Sequence, residues 1–123
     1  MGRGGYMIEK QLKQRTKNFA KQVIDLCRHL PNNCEGRLIG NQLFRSGTSV
    51  AANYRAACRG RSKAEFISKL AIVEEEADEA RLWLELLREM KISDGPLIDL
   101  LIRESDEIIS MVVSSIKTVR KKL

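Results

Sequence analysis

The chain has 123 residues, 43% hydrophobic and 31% charged, which is enough apolar material for one core and excludes global disorder. Aromatics are 5% and the two prolines, Pro31 and Pro96, stand far apart, so the turn signals and β-branched runs of an all-β sandwich or barrel are missing. The formal charge is +6 and unevenly placed: residues 1–63 hold thirteen Lys/Arg and three acids, residues 64–123 nine and thirteen. A basic half beside an acidic half points to a polyanion-binding face or to charge-complementary packing between copies or partners.

In chain order, MGRGGYMIEK opens with arginine and glycine but no apolar h-region. It is read as a disordered lead over residues 1–9, or a non-native remnant, rather than a secretory signal. A first helix is expected from Lys10 to Leu30, with Phe19, Val23, Leu26 and Leu30 recurring at three- and four-residue steps. Pro31-Asn32-Asn33 stops it. A second runs from Gly36 to Cys58 on Ile39, Leu43, Val50 and Tyr54, with Gly40 and Gly47 weakening its start. Small residues at 47, 49, 51, 52, 56 and 57 would let another helix approach closely.

Ser62-Lys63-Ala64-Glu65 is a capping box, and behind it Phe66, Leu70, Val73, Ala77, Ala80, Leu84 and Leu87 keep one face as far as Lys91. Ser93-Asp94-Gly95-Pro96 breaks the chain, with Pro96 suited to the first position of a fourth helix. That helix carries Leu97, Leu101, Ile108, Val112, Ile116 and Val119 before ending in Arg120-Lys121-Lys122. Four amphipathic segments on short links predict an all-α, antiparallel up-down-up-down four-helix bundle over residues 10–123.

Three cysteines without framework spacing, and no apolar run of ~18–20 residues, predict a protein of a reducing cytoplasm that is not in a membrane. Catalysis finds little footing. The one histidine, His29, excludes the paired Glu-x-x-His motifs of di-iron bundles. Cys27 and His29, two apart on a helix, point to different sides, and a zinc site with Cys34 lacks a fourth ligand. Glu75, Glu76, Asp78 and Glu79 fan around a helix as a solvated or interface face. No metal, cofactor or catalytic set is expected.

The basic stretch carries more. Arg45, Arg55, Arg59, Arg61 and Lys63 come without an acid between them, and Arg55 and Arg59 share a helix face. Arginine's planar fork suits phosphate, and the last three straddle the N-terminus of the capped helix, itself positive. Lys10, Lys13, Lys17 and Lys21 add roughly one stripe on the first helix. These cations either contact nucleic acid or pair with Glu74 to Glu79 of a neighbouring helix or subunit. Charge alone leaves both open.

The string from Arg45 to Leu87 also resembles the four-helix bundle proteins encoded in intervening sequences of bacterial 23S rRNA genes. The resemblance rests on Gln42-Leu43, Arg45-Ser46, Thr48-Ser49-Val50 with Asn53, Arg59-x-Arg61-Ser62 with Glu65-Phe66, and Glu79 with Trp83-Leu84-Glu85-Leu86-Leu87, and extends from about residue 15 to 120. Many relatives carry Ile-Ala-Glu-Gly after the asparagine, where this chain has Tyr54-Arg55-Ala56-Ala57; an acid is lost and an arginine gained. The resemblance implies a bundle that assembles into a ring, commonly a pentamer. A related branch, the accessory variability protein of diversity-generating retroelements, implies nucleic acid and a reverse transcriptase as partners.

The sequence therefore favours a sequence-tolerant nucleic-acid-binding accessory protein acting through Arg45, Arg55, Arg59, Arg61, Lys63, Lys13, Lys17 and Lys21. The alternative is a structural or adaptor ring whose charges bind a partner protein or neighbouring subunits. Apolar residues outside the four stripes (Leu38, Phe44, Ile67, Ile72, Trp83, Ile109) predict an interface between copies.

Overall fold

The computed structural model describes residues 3–122. It contains four helices, α1 (Arg3–Arg28), α2 (Cys34–Cys58), α3 (Lys63–Glu89) and α4 (Pro96–Lys121), and no strand among the described residues. Each helix packs on the next and α4 closes on α1, with no diagonal contact among the described residues. The result is a four-cornered antiparallel bundle in which the α1–α2 face lies opposite the α3–α4 face. Helix α1 extends back over most of the segment expected as a disordered lead: residues 3–9 are helical, and residues 1 and 2 lie outside the described residues.

The core follows alternating steps of three and four. On α3, Leu70, Val73, Ala77, Ala80, Leu84 and Leu87 are all fully buried, as periodicity predicts, while Phe66 is partly buried against them. On α1 the stripe is Leu12, Thr16, Phe19, Val23 and Leu26. On α4 it is Ile98, Leu101, Ser105, Ile108, Val112 and Ile116. The three buried hydroxyls donate to their own helix, Thr16 to the Leu12 carbonyl (2.7 Å), Ser46 to Gln42 (2.9 Å) and Ser105 to Ile102 (2.7 Å), so none of the three is stranded in the core.

Helix α2 buries Gly36, Gly40, Leu43, Gly47, Val50, Tyr54 and Ala57. Its glycines therefore lie on the core stripe itself. A Cβ on Gly47 would stand 2.8 and 2.9 Å from the two Val23 methyls and 3.1 Å from Val23 Cβ. The glycine thus lets α1 and α2 approach more closely than any side chain would allow, which offsets its poor helix propensity. At Gly40 only the Leu30 Cδ1 methyl comes near, at 3.0 Å.

The ends are set locally. Asn33, read as part of a stop signal, caps α2 by accepting the Gly36 N–H at 2.8 Å. Ser62 accepts from Glu65 N–H at 3.1 Å, and the Glu65 carboxylate reaches back to the Arg61 N–H at 3.4 Å, one residue before the expected position. Helix α3 stops two residues short of Lys91 because Lys91 turns left-handed (φ 56°) and Ile92 N–H bonds the Leu87 carbonyl at 2.9 Å, a Schellman ending. Pro96 opens α4 behind Gly95 (φ 112°).

Of the apolar residues outside the stripes, Leu38 (62%) and Phe44 (46%) are exposed. Ile67, Trp83 and Ile109 pack partly against the core and Ile72 is half-buried. Ile8, Leu82, Met90 and Leu100 add exposed apolar surface that the pattern did not indicate.

The glycine contacts predict opposite outcomes for one substitution. Gly47→Ala forces the branched Val23 side chain to move and should destabilise by about 1–3 kcal/mol, the usual cost of overpacking. Gly40→Ala meets only a rotatable methyl and should be neutral or stabilise by up to ~1 kcal/mol through helix propensity. Urea denaturation of both variants checks the pair; equal effects would show that the α1–α2 approach does not depend on Gly47.

Candidate nucleic-acid interface

The close α1–α2 seam leaves a trough on the outside of the bundle. Lys13, Thr16 and Lys17 line it from α1, and Thr48, Ala51, Ala52, Tyr54, Arg55, Ala56 and Arg59 from α2, around a volume of about 460 Å³. Ala51, Ala52 and Ala56, among the small residues expected to allow close helix approach, are in its lining. No acid is among the lining residues, and Lys13, Lys17, Arg55 and Arg59 are all exposed. Lys13 has a 3.5 Å ion pair with Glu9, one turn back, of the exposed kind that contributes little. Among the described residues Lys17, Arg55 and Arg59 have no acidic partner within 4.0 Å.

The remaining polar groups of the trough are already engaged. Thr16 donates to Leu12, and Thr48 to the Phe44 carbonyl at 2.7 Å. Tyr54 is only 2% exposed, and burial pushes its phenol well above the ordinary range. Four cations among small apolar residues are what the site presents.

Four of the eight residues singled out from the sequence thus meet in one place: Lys13, Lys17, Arg55 and Arg59. Lys21 continues the α1 row and is exposed, without lining the trough; Arg61 and Lys63 are exposed in the turn before and at the start of α3. Arg45 is placed differently. Its guanidinium holds Glu76 at 3.1 Å and Glu79 more closely still, which raises its pKa, so it belongs to the α2–α3 seam. Glu79 also accepts from Trp83 Nε1 at 3.1 Å; that indole N–H and the arginine hold its carboxyl below the usual range. The pairing with residues 74–79 considered from sequence occurs, within one chain and at Arg45.

The α3–α4 side repeats this neutralisation. Arg81 pairs with Asp106, Asp78 (3.0 Å) and Glu85 (3.6 Å), and Arg88 with Asp99 at 3.1 Å. Arg15, which sequence reasoning passed over, clamps α1 to α4 through a two-pronged bond to Glu104 (2.6 and 2.9 Å) and a contact with Glu107 at 3.2 Å. Helices α1 and α2 together hold ten Lys/Arg and three acids, α3 and α4 eight and twelve, so opposite faces of the bundle carry opposite charge. Among the described residues no three His, Cys, Asp or Glu side chains converge as a metal set, and no helix is long and apolar enough to cross a membrane.

An antiparallel four-helix bundle with a cation-lined trough between α1 and α2 is the class that fold and site define. The model of the 23S rRNA-intervening sequence protein family matches residues 9–114, and the chain belongs to that family. Its fold is similar to the crystal structure of a protein of unknown function from the S23 ribosomal protein family of Bacteroides thetaiotaomicron VPI-5482. The two are 34% identical with a TM-score of 0.82, over 89% of this chain and 98% of that one. No curated protein matches the chain.

Because Arg45 is engaged with Glu76 and Glu79, Arg45→Gln should leave affinity for any polyanion within about twofold of the parent, as expected for a residue making no phosphate contact. Comparing fluorescence anisotropy titrations of Arg45→Gln and Arg55→Gln checks this; an equal loss in both would return Arg45 to the binding surface.

Proposed function

We propose that this chain is a nucleic-acid-binding accessory protein that works as a homo-oligomer and grips the phosphate backbone in its α1–α2 trough. The observation that carries the reading is the convergence of Lys13, Lys17, Arg55 and Arg59 on one concave surface without an acid, while Arg45, Arg81 and Arg88 elsewhere are paired. Lys21, Arg61 and Lys63 extend the positive field beyond the trough. Phosphate contacts position a ligand without reading its bases, so binding is sequence-tolerant. The family's name ties its members to 23S rRNA genes, which supports RNA as a ligand.

Changing Lys17, Arg55 and Arg59 together to Gln should weaken binding to every duplex tested. It should also flatten the plot of log affinity against log salt by roughly 2–3, at about 0.9 per lost phosphate contact. Anisotropy titrations from low to high salt measure both quantities. An unchanged slope would remove the trough from the function.

The charge segregation between opposite faces favours a second reading, in which the α1–α2 face of one copy meets the α3–α4 face of the next. Repetition of such a contact closes a ring when the rotation fits, and in that ring the neighbouring copy would cover the trough, so this reading competes with phosphate binding there. Five copies of a 14.0 kDa chain would give a mass of about 70 kDa. Light scattering at micromolar concentration should read a closed multiple of the chain mass. If the triple Gln variant dissociates that assembly while keeping its nucleic-acid affinity, the cations serve the subunit contact instead.

A further inference from the structure

The composition of the trough narrows the ligand further. We propose that it accepts the sugar–phosphate ridge of a double-stranded nucleic acid in preference to a single strand, an inference that rests on the phosphate-binding reading above.

A sequence-tolerant single-strand site combines positive charge with aromatic side chains on which successive bases stack. Among the described side chains the charge is present and the platform is not. The small lining residues are Ala51, Ala52 and Ala56, and the one aromatic in the lining, Tyr54, is 2% exposed, leaving no ring face for a base. Among the described side chains the other accessible aromatics are elsewhere: Phe44 lies at the far end of the α1–α2 seam beside Leu30 and Pro31, Trp83 is turned to Glu79 on α3, and Phe66 packs against the core. The Thr16 and Thr48 protons are committed to their own helix, so neither can be donated to a base edge. A single strand would bring unstacked bases to a surface offering methyl groups and would also lose its own flexibility.

A duplex brings its bases already stacked inside and presents only phosphates and sugars, with about one charge per 1.7 Å along its axis. Two rows of cations, from Lys13 and Lys17 on one rim and Arg55 and Arg59 on the other, face a backbone ridge from both sides. Within each row the spacing is four residues, about 6 Å along the helix. Ala51, Ala52 and Ala56 put no long side chain in the lining to hold the ridge away.

The test compares three fluorescent probes carrying equal numbers of internucleotide phosphates: a 20-base-pair RNA duplex, a 20-base-pair DNA duplex and a 39-residue oligouridine. The intact protein should bind at least one duplex ten-fold or more tightly than oligouridine, and Arg55→Gln with Arg59→Gln should reduce that duplex affinity at least ten-fold. Which duplex binds distinguishes an A-form from a B-form ridge, and either result supports the proposal. Ala52→Trp, at an exposed position on the trough, supplies the missing platform and should raise oligouridine affinity with helicity by circular dichroism unchanged. If oligouridine equals or exceeds both duplexes while the arginine variant still weakens all three, the duplex preference is overturned and phosphate binding in the trough stands. If none of the probes binds, or the arginine variant binds each as the parent does, the phosphate-binding reading falls and the preference with it.

Discussion

The contact on which the rest of the structure depends is the approach of Val23 to Gly47. With 2.8 Å between a Val23 methyl and the place a Cβ would occupy, α1 and α2 lie closer here than ordinary side chains permit. That approach sets the register of the seam, since Val23 on Gly47 puts Leu30 on Gly40 further along and brings the Lys13–Lys17 row opposite Arg55 and Arg59. Because the seam closes through small groups, the long cations have no core work and stand free on its rims. The same packing that completes the core on the inside therefore builds the trough on the outside.

The electrostatics follow from which helix faces which. Cations on the α2–α3, α3–α4 and α1–α4 seams meet carboxylates: Arg45 with Glu76 and Glu79, Arg81 with Asp106, Arg15 with Glu104. On the α1–α2 seam no acid lines the groove, so its field is not cancelled locally. Unpaired like charges gathered on one face repel and destabilise the bundle slightly. Folding gains nothing from this arrangement.

How much of this is legible in the sequence depends on the range of the physics involved. Helix α3 can be read nearly residue by residue because its stripe is apolar without interruption and its cap is a local serine–glutamate pair. Helix α2 is harder, since the residues that face the core at Gly36, Gly40 and Gly47 have no side chain to register in an apolar pattern, and their reason lies across the seam in α1. The Asn33 cap is hidden in a stretch that reads as a breaker. The start of α1 escapes a sequence reading because its glycines signal poor helix there, while Leu12 and Thr16 sit on its buried stripe. Lys13, Lys17, Arg55 and Arg59 can be picked out from sequence, but their convergence needs the α1–α2 register, and the partners of Arg45 lie 31 and 34 residues away.

Arg45 and Arg55 show how little separates the two outcomes. Both are exposed arginines of one helix in an acid-free stretch, and composition treats them alike. Ten residues at 3.6 per turn rotate the chain by about 80° short of whole turns. That rotation carries one guanidinium to the α3 side, where Glu76 and Glu79 wait, and the other to the α1 side, where the nearest neighbours are alanines and another row of cations. Around the second position this chain places Arg55, Ala56 and Ala57. A carboxylate on that stretch would neutralise the trough as Glu79 neutralises Arg45.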